Sequence, residues 1–146
     1  MVREIVPPDT GLAFRAMREL RTGLADEESF VRRVDDVQRA EGYRLVGAFE
    51  EGRDEAMGVA GFRVLHTLAW DDCLYVDDLS THPDGRRRGH ARALLDWLLA
   101  EAGRLGCQQF HLDSGVGLER SDAHRLYFNA GLVITAHHFA RAIPRS

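Results

Sequence analysis

The chain contains no lysine; all nineteen of its basic residues are arginine. That absence removes several chemistries: a Walker-type phosphate lysine, a Schiff-base lysine and a pyridoxal phosphate anchor are all excluded. Cysteine is almost as scarce. Cys73 and Cys107 stand far apart, outside any metal-binding or redox spacing, and read as two buried thiols. Aromatic residues make up only 8%, so stacking surfaces are few. No stretch approaches the run of about 20 apolar residues needed to cross a bilayer. The opening MVREIVPPDT lacks the apolar core of a signal peptide. These absences predict a soluble, cytoplasmic protein that does not engage a membrane. A net charge of −4 argues against a nucleic-acid partner.

What is present suits one domain over residues 1–146, because 45% of the chain is apolar, enough for a packed core. Residues 3–6 predict a short strand, stopped by Pro7-Pro8. Residues 11–22 and 27–40 predict two amphipathic helices, the second carrying Phe30, Val31, Val34 and Val37 at helical spacing. Residues 43–50 and 56–68 predict a hairpin turning over 50–55. Residues 73–81 form another strand, broken by His82-Pro83-Asp84-Gly85. The clearest helix covers 89–105, with Ala91, Leu94, Leu95, Leu98, Ala102 and Leu105 on one face and Gly106 as its stop. A strand at 109–114, a short helix at 122–130 ending at Gly131, and one or two closing strands in LVITAHHFARAI complete the chain. Antiparallel strands followed by a β-α-β crossover predict an α/β (α+β) fold with a mixed sheet.

The stretch RRRGHA, residues 86–91, sits between the strand at 73–81 and the long helix. The first backbone N–H groups of a helix have no internal partners, and with the helix dipole they favour an anion. Gly89 allows close approach of that backbone, small Ala91 hinders little, and Arg86, Arg87 and Arg88 add positive charge. Taken alone, a solvated charge run explains these residues as well as a phosphate site does. A nucleotide-phosphate site is poorly matched, since lysine and a Ser/Thr-rich magnesium loop are missing.

The spacing Arg86-x-x-Gly89-x-Ala91, set between a strand and a long amphipathic helix, resembles the acyl-CoA-binding motif of the GNAT N-acetyltransferase superfamily. A second segment, Ala123-His124-Arg125-Leu126-Tyr127-Phe128-Asn129-Ala130-Gly131-Leu132, is similar to that superfamily's Ala-x-x-x-Tyr-x-x-x-Gly-Phe pattern, with Leu132 in place of Phe. The resemblance covers nearly the whole chain. It implies a mixed, mostly antiparallel sheet of six or seven strands flanked by about four helices, with a splay between the strand at 73–81 and that at 109–114. It implies acetyl-CoA as co-substrate, its pyrophosphate on Arg86, Arg87, Arg88, Gly89, His90 and Ala91 and its pantetheine arm along the backbone of Leu79, Ser80 and Thr81. Tyr127 would be the acid that protonates the leaving thiolate. Asp77 or Asp78 would serve as base, with Asp113 or a water chain as alternatives; strand alternation lets only one of the pair face a cleft. Ser114, Ala123 and His124 are further cofactor contacts, although LDSG at 112–115 lacks the Asn that many relatives carry there.

The implied activity is transfer of acetyl to a primary amine, on a small molecule or a protein, by direct attack in a ternary complex. The alternative is a GNAT-fold module that binds acyl-CoA without catalysis. The histidines show no metal-ligand spacing, so no metal is expected. Ser114, His124 and Asp113 could compose a triad, but no nucleophile elbow accompanies them. Acceptor specificity would come from residues 11–40, the 66–72 turn with Trp70, Asp71 and Asp72, and the tail, where His138 could line the acceptor cleft. Acids over 71–78 would steer a cationic amine. A homodimer is compatible with the resemblance, and nothing in the sequence fixes it.

Overall fold

The structure, a computed structural model, describes residues 1–145. Five strands form one sheet in chain order: β1 (Val2–Ile5), β2 (Arg44–Ala48), β3 (Gly58–Thr67), β4 (Asp71–Thr81) and β5 (Gln109–Leu112). The first three junctions are antiparallel and β4–β5 is parallel. The parallel pair is the one that needs a crossover helix. The helices are α1 (Phe14–Leu20), α2 (Glu27–Arg32), α3 (His90–Arg104) and α4 (Ser121–Asn129). The chain divides into two units, residues 1–112 and 113 onward.

In the first unit the sheet is covered on both faces. Leu45 and Val59 point into one core with Ile5, Ala16, Met17, Phe30 and Val34. Their neighbours Val46 and Ala60 point into the other, with Phe62, Leu74 and Val76 against Leu94, Leu98 and Ala102 of α3. That switch at successive residues is the two-residue period of a strand, and the Leu94/Leu98/Ala102 spacing is the helical one.

The first two helices are less regular than their periodicity suggests. Residues Asp9–Ala13 form a 3₁₀ turn before α1. The segment expected to be one helix over 27–40 is α-helical only to Arg32 and continues as a π-helical turn, Arg33–Gln38. Asp35 in that turn accepts from Thr10 Oγ1 at 2.7 Å and from Arg39 Nε at 2.9 Å, while Arg39 Nη2 donates to the Ile5 carbonyl at 3.0 Å. These bonds fasten the turn to the end of β1.

In the second unit α4 ends in a Schellman cap. Gly131, at φ +88°, follows the helix, and the Leu132 N–H donates to the Tyr127 carbonyl at 3.0 Å. The closing strands expected from LVITAHHFARAI are not present: among the described residues, 132–145 join no ladder. The sheet therefore has five strands and not six or seven. Alternating sequence supplies a strand's faces but not its hydrogen-bond partner, and this segment has none among the described residues.

Candidate active site

The loop between β4 and α3 is fixed at its entry by His82, which is 5% exposed. Its backbone N–H donates to the Met57 carbonyl at 2.8 Å, and its Nδ1 accepts the Asp84 N–H at 3.0 Å. Because Nδ1 accepts, Nε2 carries the proton and donates to Glu55 at 3.0 Å. Pro83–Gly85 then forms a 3₁₀ turn. Gly85 is needed there, since a Cβ would stand 2.8 Å from the Met57 carbonyl oxygen.

Two residues further on the backbone enters the left-handed region, at Arg87 (φ +62°) and again at Gly89 (φ +79°). Gly89 is the N-cap of α3, and its carbonyl accepts the Ala93 N–H at 3.0 Å. Apart from Gly89 itself and its two chain neighbours, no heavy atom lies within 4 Å of where a Gly89 Cβ would stand. The first turn of α3 therefore presents its unpaired N–H groups beside open space, the arrangement that suits an anion.

The three arginines have different surroundings. Arg86 Nη2 donates to Glu19 of α1 at 3.0 Å, and Arg88 Nη1 donates to Glu50 at 2.6 Å. Glu50 also holds His90 Nε2 at 2.6 Å. The hydrogen bonds from His90 and Arg88 draw the Glu50 carboxyl below its usual range. Arg87, exposed, has no carboxylate partner among the described residues.

On β4, pairing with β5 runs from Cys73 to Val76 and stops. From Asp77 to Thr81 the strand keeps only its β3 side, where Leu79, Ser80 and Thr81 face Ala60, Val59 and Gly58. One edge of 77–81 is thus without a ladder partner among the described residues, at the expected splay. The Ser80 hydroxyl donates to the Ala16 carbonyl at 2.7 Å, so this side chain ties β4 to α1 and leaves the backbone as the feature beside the gap.

The acids depart from simple alternation. Gly61 faces Asp78 while Phe62 faces Val76, so Asp77 is the extra residue of a β-bulge. The bulge interrupts the simple alternation and brings Asp77 and Asp78 into one cluster of side chains. Arg63 Nε donates to Asp77 at 2.9 Å and its guanidinium lies 5.7 Å from the Tyr43 ring. The Tyr43 hydroxyl in turn donates to Asp78 at 2.8 Å. Arg21 Nε donates to Asp78 at 2.7 Å and Arg21 Nη2 to the Asp77 carbonyl at 2.8 Å. Burial raises the Asp77 carboxyl above its usual range, against the opposing pull of Arg63. Burial and the Asp78 charge push the Tyr43 phenol well above its usual value.

The Trp70–Asp72 turn lies at the other end of β4. Ten residues at roughly 3.3 Å each put Asp71 about 33 Å from Thr81 along the strand. There Trp70 stacks on His111 at 3.8 Å and Asp72 holds His66 at 2.7 Å. Asp77, six residues on, is about 20 Å away, more than two Debye lengths at physiological salt, so Asp71 and Asp72 contribute a weak field at the 77–81 end of the strand.

In the second unit, α4 carries Ala123 one turn before Tyr127, both half-buried. Burial raises the Tyr127 phenol, with Arg120 pulling the other way. His124 Nε2 donates to the Gly115 carbonyl at 2.7 Å, which assigns its proton to that nitrogen. Ser114 Oγ reaches the same carbonyl only at 3.5 Å. Asp113 stands 3.6 Å from His138. Among the described residues, no group of three or more His, Cys, Asp or Glu is placed to hold a metal, and no helix is long and apolar enough to cross a membrane.

The family model for the acetyltransferase (GNAT) family matches residues 11–131, a span that takes in the loop, the bulged strand and α4. The chain belongs to the GNAT acetyltransferase family. No curated protein sequence matches it. Solved structures with the same fold include a transcriptional regulator from Bacillus halodurans C-125, 18% identical, with 98% of this chain and 99% of that one covered and a TM-score of 0.82. An aminoglycoside N-acetyltransferase in complex with CoA is 16% identical over 98% of this chain and 93% of its own, with a TM-score of 0.79. Glucosamine-6-phosphate N-acetyltransferase from Arabidopsis thaliana is 14% identical over 99% and 98%, with a TM-score of 0.75.

Several residues of this GNAT chain's site escape the sequence reading: Arg21, Tyr43, Glu50, Arg63 and His82. Each reaches its partner across the fold, as Tyr43 does to Asp78 and Glu50 to His90. One local signal was available. Gly61 stands between Ala60 and Phe62 inside the strand, and a glycine in a strand interior marks a bulge or a close approach. It is both here, since a Cβ at Gly61 would overlap the Tyr43 hydroxyl.

Proposed function

We propose that this GNAT chain transfers the acetyl group of acetyl-CoA to a primary amine by direct attack in a ternary complex. The observation that carries the reading is the loop at 82–91. Its two left-handed residues, Arg87 and Gly89, open the first turn of a 15-residue helix onto free space. Pyrophosphate on those N–H groups, with Arg87 beside it, orients the thioester along the unpaired edge of β4. The residues fit CoA: the cradle is cationic and backbone-lined, and the edge at Leu79, Ser80 and Thr81 offers N–H and C=O groups to an amide-bearing arm.

The amine nitrogen attacks the thioester carbonyl, forming the N–C bond, and the oxyanion accepts a hydrogen bond from a backbone N–H of the 79–81 edge. The C–S bond then breaks. Asp77 takes the amine proton; burial has moved its carboxyl toward the range where a base works near neutrality. Asp78, held by Tyr43 and Arg21, positions the bulge. Tyr127 returns a proton to the CoA thiolate, leaving free CoA and the acetamide. Ser114, Ala123 and His124 serve as further cofactor contacts. A cytoplasmic location accords with two free thiols.

The second reading, an acyl-CoA-binding module without turnover, is favoured by one feature: Asp77 and Asp78 already have arginine partners. The deciding experiment measures CoA release over a panel of primary amines for the wild type and for Tyr127→Phe, alongside acetyl-CoA affinity by calorimetry. Transfer requires turnover with at least one amine and a fall in kcat of about 10²-fold or more in Tyr127→Phe at unchanged affinity. Tight binding with no turnover across the panel establishes the module.

A further inference from the structure

Arg15, Arg18 and Glu19 of α1, with Thr22 just after it, line an open trough of about 470 Å³. Their spacing puts them on one side of the helix, away from the buried Ala16 and Met17. Glu19 is already shared, since Arg15 Nη1 donates to it at 2.7 Å and Arg86 Nη2 at 3.0 Å. Arg18 is different. It is exposed, and it has no carboxylate partner among the described residues; its guanidinium lies 5.9 Å from the centre of the Phe14 ring. A planar guanidinium without a carboxylate offers paired N–H donors that match a carboxylate or a phosphate.

The trough is fixed beside the splayed part of β4. Ser80 Oγ donates to the Ala16 carbonyl at 2.7 Å, and Arg21 Nε donates to Asp78 at 2.7 Å. Arg18 stands between those two anchors, three residues or about 4.5 Å along the helix axis before Arg21. The charge there runs against that of the chain, whose net value is −4. Arg15, Arg18, Arg21 and Arg86 meet two carboxylates, Glu19 and Asp78, while Asp77 is held by Arg63. A cationic acceptor approaching α1 therefore meets a surplus of positive charge, and an anionic group meets Arg18.

We propose that this trough is an anion subsite for the acceptor: the acetylated amine also carries a carboxylate or phosphate group, which Arg18 binds with Arg15 and Thr22 beside it. The assignment rests on the transfer reading above. The phosphates of CoA share the same chemistry, but the fold separates the two sources. α1 packs on one face of the sheet, over Leu45 and Val59. α3, whose first turn is the pyrophosphate cradle, packs on the other, against Val46 and Ala60. Arg18 belongs to the helix tied to Ser80 and Asp78, on the side of the acids and not of the cradle. The acceptor is then an amine with an anion on the same molecule, in place of the purely cationic amine that the acids over 71–78 would steer.

The test compares matched probes on the full chain: ω-amino acids with their amides, and ω-aminoalkyl phosphates with the corresponding amino alcohols, each over a series of chain lengths. Binding in the presence of CoA is followed by the NMR shifts of the 14–22 amides, and kcat/KM is measured separately. In at least one pair the anionic member should bind roughly tenfold more tightly than its neutral partner. Which pair responds tells a carboxylate from a phosphate. Arg18→Gln should erase that ratio, Arg18→Glu should invert it, and Arg18→Lys should keep part of it. Because Arg18 is exposed, melting temperature should stay level in all three, and so should acetyl-CoA affinity. The proposal is overturned by equal binding within every pair, or by a ratio that survives Arg18→Gln and Arg18→Glu. It is also overturned if Arg18→Gln weakens acetyl-CoA binding and leaves the ratio intact, which would give the arginine to a cofactor phosphate. Anion binding that follows Arg18 without turnover of any amine would sink the transfer reading and leave the anion subsite standing.

Discussion

A single missing side chain decides the geometry at Asp77 and Asp78 on β4. Gly61 leaves the space that the Tyr43 hydroxyl occupies on its way to Asp78. The backbone there is extended and would accept any residue, so the requirement comes from contact and not from dihedral freedom. Gly61→Ala should push the buried ring against its own support, because Tyr43 is only 3% exposed and has little room to retreat. Overpacking of this kind costs about 1–3 kcal/mol, and equilibrium urea unfolding should show that loss. Stability equal to wild type would mean that Tyr43 does not stand behind Asp78. Tyr43→Phe keeps the ring and leaves one oxygen of Asp78 without its donor, a loss of about 1–2 kcal/mol. The contact of Asp78 with Arg21 should survive in that variant.

At the scale of the element, the segment from the end of β4 to the start of α3 works as one piece. His82 fixes its entry, two left-handed residues turn it, and Glu50 holds Arg88 and His90 on its exit. Gly89→Glu tests the anion site, since a carboxylate would project where pyrophosphate belongs. No atom stands in the way of its Cβ, so the only structural cost is the positive φ. Gly89→Asn shares that cost in mild form, because Asn tolerates left-handed backbone, and carries no charge. Calorimetry should find acetyl-CoA affinity lowered by about 100-fold or more in G89E and far less in G89N, with similar melting temperatures. Equal affinities in the two would remove the phosphate assignment. Within the same loop the arginines should not be equivalent. Arg87 has no carboxylate partner to give up, so Arg87→Gln should weaken binding more than Arg86→Gln. It should also flatten the salt dependence of affinity more.

What the sequence made legible across the whole molecule follows from the range of the interactions. The loop, its glycine, the long helix and the Tyr127 segment are local patterns, and each stands where its residues put it. The Asp78–Tyr43, Glu50–His90 and His82–Glu55 contacts join residues 27 to 40 positions apart, and no periodicity encodes such pairs. The bulge at Asp77 was hidden because alternation assumes an unbroken ladder. The tail alternated as a strand should, and lacked the partner that makes one. One further long-range group, Glu101 of α3, ties the layers together and sets a property of the entire fold. It is 7% exposed and bonds Arg104 at 2.6 Å and Arg44 of β2 at 2.7 Å. Arg44 also holds Glu4 of β1 at 2.8 Å. The Arg104 hydrogen bond, with that of Arg44, draws the Glu101 carboxyl from 4.5 to about 2. A depressed folded-state value means that the unfolded chain binds the proton more readily. The stabilisation is complete above about pH 4.5 and is lost as the pH falls toward 2. With Arg104 largely in solvent, the contribution is on the order of 2–3 kcal/mol. Glu4, Glu19 and Glu50 act in the same direction, and Asp77 acts in the opposite one. The readout is therefore a difference: urea midpoints of wild type and Glu101→Gln, followed from pH 6 to pH 2.5. The wild type should be the more stable at pH 6, and the gap should narrow steadily below pH 4.5. A gap that stays constant with pH would mean that Glu101 supports the fold by packing alone.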